Sequence, residues 1–211
     1  MRGTFDRSFR KVLAAAASDA PTPGGGSVSA LVGALGISMT AMVGNLTYGK
    51  SQYAAVATEV KDITGRAYLI MARLEKLMED DIAAFEKFMA AYRLPKGTAE
   101  EKNKREEAIQ KALRGATQTP LEIAGTLLEA LAITARLSGI GNKMAISDAG
   151  VAAYVCEAAV HAVLLNVDIN LPMVSDASFA SQALKEKERI AGEARRLKEQ
   201  AVAAVKERMN G

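Results

Sequence analysis

A carboxylate stands where a hydrophobic side chain is due. Between Tyr53 and Tyr92, apolar residues recur at Val56, Val60, Ile63, Ala67, Ile70, Leu74 and Leu77. Spacings of three and four predict one long amphipathic helix. Continuing that seam leads to Asp81, then Phe85 and Phe88. A carboxyl group on an apolar face is at least partly desolvated, which raises its pKa and suits general acid/base work. A buried structural ion pair accounts for the same position equally well. Asp80 lies about 100° round the helix and falls on the solvated side.

Three further clusters carry chemistry-bearing residues. Pro21-Thr22-Pro23-Gly24-Gly25-Gly26-Ser27 joins a turn to a helix start. Its glycines let backbone approach a ligand, Ser27 can cap the helix, and free N–H groups there favour an anion. An ordinary turn and cap is the competing account. No Gly-Lys-Ser/Thr follows at Walker spacing. The next cluster, Asn45-Leu46-Thr47-Tyr48-Gly49-Lys50, reads as a helix C-terminus, with Gly49 past the end and Lys50 against the dipole. Asn45 inside an apolar helix needs a partner. In Gly141-Asn142 to Ser147-Asp148, Ser147 or Asp148 suits an N-cap, while Asn142 and Asp148 equally suit a polar ligand. Asn166 and Asn170 would share one helix face. His161 is the only histidine, so a metal role is weakly supported beside a satisfied surface or core histidine.

Breakers at 21–26, 94–97, 139–142 and 171–172 divide the chain. Between them we expect helices over about 5–17, 27–48, 53–92, 99–137, 148–167 and 176–209. Pro120 should kink or divide the fourth. No alternating strand pattern persists. Half the residues are hydrophobic (49%) but only 5% are aromatic, a core composition suited to close helix packing. The fold expectation is an all-α bundle of long, mostly antiparallel helices forming a single domain over 1–211. One chain cannot cover such long seams, so a homodimer is expected.

The balance of 27 Lys+Arg against 24 Asp+Glu argues against a nucleic-acid binder. Ala20 to Gly49 carries no charge and is long enough for a membrane span. Its Gly, Ser, Thr and Ala content instead predicts a helix buried on all sides of a soluble bundle. The N-terminus has no secretory pattern. The single Cys156 excludes an internal disulfide and a Cys-rich metal site, so a cytoplasmic protein is expected.

Taken in order, these motifs resemble the formiminotransferase-cyclodeaminase C-terminal domain family, which includes free-standing methenyltetrahydrofolate cyclohydrolases. The resemblance is carried by Pro23-Gly24-Gly25-Gly26-Ser27, Asn45-Leu46-Thr47 with Gly49-Lys50, Asp81 with Ala84-Phe85, and Leu94-Pro95-Lys96. Pro120-Leu121, Asn142 with Ser147-Asp148-Gly150, and Asn166 with Ile169-Asn170-Leu171 complete it. It implies a dimeric long-helix bundle with a folate pocket near the Gly-rich turn and no metal or redox cofactor. Cyclohydrolases of the family interconvert 5,10-methenyl- and 10-formyltetrahydrofolate; cyclodeaminases release ammonia from the 5-formimidoyl form.

On that reading Asp81 is the charge-stabilising, proton-transferring group and Asp148 an orienting or pterin-binding carboxylate. Asn45, Asn142 and Asn166 face the substrate. Lys50 and the Gly24–Ser27 turn receive its glutamate carboxylates. Asp168 departs from the family pattern, which often has Arg there, and removes a cation from any tail contact at that position. The chain carries no formiminotransferase domain, which favours the cyclohydrolase over the cyclodeaminase. A non-catalytic helical scaffold and a membrane-associated helical protein are the other readings. A scaffold has no reason to place Asp81 on an apolar seam.

Overall fold

The computed structural model describes residues 3–210; Met1, Arg2 and Gly211, the ends of the expected domain, lie outside them. A 3₁₀ turn at Thr4–Asp6 leads into the short helix α1 (Phe9–Ala16). Five long helices follow: α2 (Gly25–Thr47), α3 (Ala57–Tyr92), α4 (Ala99–Ile140), α5 (Ile146–Asn170) and α6 (Ala177–Asn210). No strand occurs among the described residues. The all-α bundle expected from the periodicity is the fold observed.

Local chemistry explains where the helices begin and end. Gly49 takes φ +81°, a left-handed conformation that glycine adopts without a Cβ penalty, so α2 stops there. A 3₁₀ segment, Ser51–Val56, then leads into α3, which therefore starts a turn later than expected. Thr98 and Glu101 form a reciprocal capping box that starts α4. Asn142, rather than Ser147 or Asp148, caps the next turn: its Oδ1 accepts from the Met144 N–H at 3.1 Å. Both expected caps, Ser147 and Asp148, lie inside the first turn of α5. Nor does Pro120 divide α4, which runs unbroken from Ala99 to Ile140.

Successive long helices run up and down. Gly26 with Asp81 and Gly44 with Thr64 set α2 antiparallel to α3, and Gly25 with Asn166 and Gly36 with Cys156 set it antiparallel to α5. Close approach depends on absent side chains. A Cβ on Gly33 would lie 3.3 Å from Leu127 Cγ, and one on Gly44 would lie 3.3 Å from Thr64 Cβ. The small-residue pattern of α2 thus lets three helices close around it. Cys156 is buried beside Gly36, and burial pushes its thiol up to about 12.

One expectation for α2 fails. The helix is not buried on all sides. Val28, Leu31, Val32, Leu35, Met39, Met42 and Leu46 form a partly or fully exposed stripe; Leu35 is 51% exposed. On the neighbouring α5, Val151, Tyr154, Ala158, Ala162, Leu165 and Ile169 are exposed as well, Leu165 at 66%. The two stripes make one face without a charged side chain on α2. Helices α2 and α4 and the segment Lys143–Met173 are each long and apolar enough to cross a membrane. In the bundle they pack against one another through their buried sides.

Candidate active site

The bundle has two ends, and the predicted site residues divide between them. At one end the Gly-rich turn, the C-terminal third of α3, the middle of α4 and the last turn of α5 enclose a cavity of about 370 Å³. Its walls include Thr22, Gly24, Gly25, Gly26, Asp81, Phe85, Phe88, Pro120, Asn166, Ile169, Asn170 and Met173.

Asp81 and α2 define this site. Gly24 is the N-cap of α2, so Ser27 lies inside the first turn and does not cap, contrary to expectation. Instead its Oγ donates to Asp81 Oδ2 at 2.6 Å. The Ser27 backbone N–H also favours the ionised carboxyl. The anion expected at this helix N-terminus is therefore the chain's own carboxylate. Gly26 is required by the same contact, since a Cβ there would sit 2.8 Å from both Asp81 Cγ and Oδ2. No real structure accommodates that, so backbone and carboxylate meet only because residue 26 has no side chain.

Two opposing effects act on Asp81. Burial pushes its pKa above the ordinary aspartate value; the side-chain and backbone hydrogen bonds from Ser27 pull it down, and burial prevails. No Lys or Arg pairs with Asp81 among the described residues. The buried ion pair that competed with the functional reading is thus absent from this region. Asp80 binds Lys76 on the solvated side, as its position on the helix predicted.

Asn166 lines the cavity near Gly25, its Nδ2 donating to Val163 O at 3.3 Å. Its neighbour Asn170 has a sharper role. Pro120 has no N–H, so the carbonyl of Ala116, four residues earlier, loses its intrahelical donor. Asn170 Nδ2 donates to that carbonyl at 2.8 Å. The proline that would be expected to break α4 is thus compensated from α5, and the repair fixes the cavity wall. Sequence reasoning placed Asn166 and Asn170 on one face but missed this pairing. The signal was available: an interior helix proline always leaves a carbonyl seeking a donor.

The other end of the bundle holds Asn45, Lys50, Asn142 and Asp148. The 23 residues of α2 separate the ends by about 33 Å at 1.5 Å per residue. Within one chain these four residues cannot join the cavity around Asp81. Asn45 is exposed and donates to the Tyr68 hydroxyl at 2.9 Å. Asn142 is a latch: its N–H donates to Thr47 Oγ1 at 2.7 Å and its Nδ2 to Leu46 O at 2.9 Å. These bonds tie the α4–α5 turn to the end of α2. Lys50 is exposed and Asp148 half-buried in the first turn of α5. Asp168 pairs with Lys187 of α6, and His161 Nε2 lies 3.2 Å from Glu157. Both are occupied by neighbours on the helix surface. No group of three or more His, Cys, Asp or Glu is placed to hold a metal among the described residues.

Comparison with known proteins places this geometry. The profile of the formiminotransferase-cyclodeaminase family matches residues 8–189. A methenyltetrahydrofolate cyclohydrolase of Methylorubrum extorquens is 39% identical over 194 residues, 92% of this chain and 93% of that protein. The formimidoyltransferase-cyclodeaminase of Rattus norvegicus is 35% identical over 83% of this chain, which spans only 32% of that longer relative. The crystal structure of formiminotetrahydrofolate cyclodeaminase from Thermotoga maritima superposes with a TM-score of 0.86 at 29% identity, covering 95% of this chain and 96% of that one.

The proline repair gives a testable coupling. Asn170→Leu leaves the Ala116 carbonyl without a donor and should cost about 1–3 kcal/mol. In a Pro120→Ala background the new N–H reclaims that carbonyl, so the same change should cost clearly less. Thermal denaturation of the four proteins completes the cycle. Equal costs in both backgrounds would refute the pairing.

Proposed function

The chain belongs to the formiminotransferase-cyclodeaminase family, and on that premise we propose that it is a folate one-carbon enzyme interconverting 5,10-methenyl- and 10-formyltetrahydrofolate. The observation that carries this reading is the Asp81 carboxyl. It is half-buried, without a cationic partner among the described residues, at the wall of a largely apolar cavity. The end-to-end match to the Methylorubrum cyclohydrolase supports this reaction over deamination.

The reacting carbon of the methenyl form is cationic. An ionised Asp81 stabilises it, with little solvent present to screen the attraction. Water adds to that carbon as Asp81 accepts one of its protons, giving a neutral carbinolamine. Asp81 then returns the proton to N5 as the C–N5 bond breaks. The remaining hydroxyl proton leaves to solvent as the formyl C=O forms. The cycle consumes one water, releases one proton and restores the carboxylate. A pKa raised towards working pH suits a group that must both accept and return a proton. Ser27 holds the carboxylate in place through the exchange. Phe85 and Phe88 offer apolar, aromatic surface to the pterin and aminobenzoyl rings. Asn166 supplies an amide for their polar edges.

The same group serves the second reading, formimidoyltetrahydrofolate cyclodeaminase, supported by the likeness to the Thermotoga structure. There N10 closes on the formimidoyl carbon, and Asp81 takes the N10 proton and passes it to the amino group, which leaves as ammonia as its C–N bond breaks and the methenyl cation forms. Following methenyltetrahydrofolate absorbance, and separately ammonia release, decides between them. Asp81→Asn should lower kcat at least about 100-fold with the helical circular dichroism retained. Near wild-type turnover in that variant would eliminate the role.

We further propose that residues 1–211 act as one domain and that two copies pair through the apolar α2–α5 face. That face supplies the continuous apolar surface a two-fold contact needs. Light scattering on the purified protein should give the mass of two chains, and Leu35→Lys with Leu165→Lys should shift it to one. A wild-type monomer would contradict the pairing.

A further inference from the structure

Resting on the folate reading, we infer that a groove along α3, from the active cavity to Arg93, receives the anionic glutamate tail of the substrate. The row Asp81, Phe85, Met89, Arg93 repeats every four residues, the ridge along which helix side chains abut. Phe85 walls the active cavity and also, with Pro21 and Thr22, the head of a narrower depression of about 180 Å³. That depression continues past Glu86, Met89 and Ala90 to Arg93. The two hollows therefore share three residues and form one path.

Length and charge agree with a tail site. From Asp81 to Arg93 the helix rises about 18 Å, and its side chains lean back towards the N-terminus. A substrate reacting at Asp81 with its aminobenzoyl ring beside Phe85 has its carboxylates in the stretch that Arg93 reaches. Arg93 is exposed, and no ion pair among the described residues uses it. Its planar fork suits a carboxylate through two parallel hydrogen bonds. Residues 86–114 hold eight Lys/Arg against five Asp/Glu, a surplus equal to the net charge of the whole chain. The α3–α4 tip is thus locally basic. Lys50, the cation the sequence reading gave this task, lies at the opposite end. Glu86 is the acidic group lining the depression and opposes the tail.

Titration calorimetry with 5-formyltetrahydrofolate bearing one or several γ-linked glutamates tests this without requiring turnover. Arg93→Gln should weaken binding about fivefold, more for the longer tail, with Arg93→Lys recovering part of the loss. Glu86→Gln should tighten binding. Lys104→Gln, an exposed α4 cation paired with Glu100, should change neither affinity. Unaltered binding in Arg93→Gln, or equal losses in Arg93→Gln and Lys104→Gln, would overturn the groove. Wild-type binding without turnover, still weakened by Arg93→Gln, would overturn only the reaction and support the groove. Wild-type protein that binds no folate would overturn both.

Discussion

Asp81 meets the first turn of α2 across a gap that no side chain could occupy. The hydrogen bond from Ser27 Oγ and the absence of a Cβ at Gly26 hold a carboxylate against a helix N-terminus. The helix dipole and the hydroxyl favour the charge, while burial opposes it and prevails. The linkage to stability has a definite sign. A folded-state pKa above the unfolded value means the native state holds its proton more tightly. Stability from this group is complete at low pH and is lost as pH rises through the raised value. At neutral pH an ionised Asp81 is therefore a cost to the fold, of the kind often found where a group serves chemistry rather than packing.

The rest of the bundle follows from bringing α2 this close to α3. Small residues at Gly33, Gly36 and Gly44 let α2 pack closely against α3, α4 and α5. Its uncharged composition is then divided, with one side in the core and the other in the exposed stripe shared with α5. Pro120 and Asn170 perform the matching task on the far wall. A carbonyl freed in α4 is bonded by an amide from α5, so the two helices are pinned where they face Asp81. Cavity shape and helix packing are thus set by the same few contacts.

How far the sequence disclosed this differs from element to element. The α3 seam disclosed Asp81 because a carboxylate interrupted a strict three–four rhythm. The Gly-rich turn was legible as an anion-favouring site, but its anion is supplied internally, and no local rule links residue 26 to residue 81. Asn45, Lys50, Asn142 and Asp148 were grouped with Asp81 by motif order alone. Helix lengths would have separated them: a 23-residue α2 puts its two ends on opposite ends of any antiparallel bundle. Asn142 is explained by its latch onto Leu46 and Thr47. Asn170 escaped because its partner is a backbone carbonyl, visible only by asking where the donor lost at Pro120 is replaced.

Asp81 is poised by burial against the Ser27 contact. The most direct measurement of this balance is the pH titration of the Asp81 carboxyl carbon by NMR in the wild-type protein and in Ser27→Ala. The wild-type pKa should lie above that of a free aspartate. In Ser27→Ala it should rise further, because the hydroxyl bond that favours the charged form is gone while burial remains. A wild-type value at or below that of free aspartate, or a fall on removing the Ser27 hydroxyl, would contradict this balance.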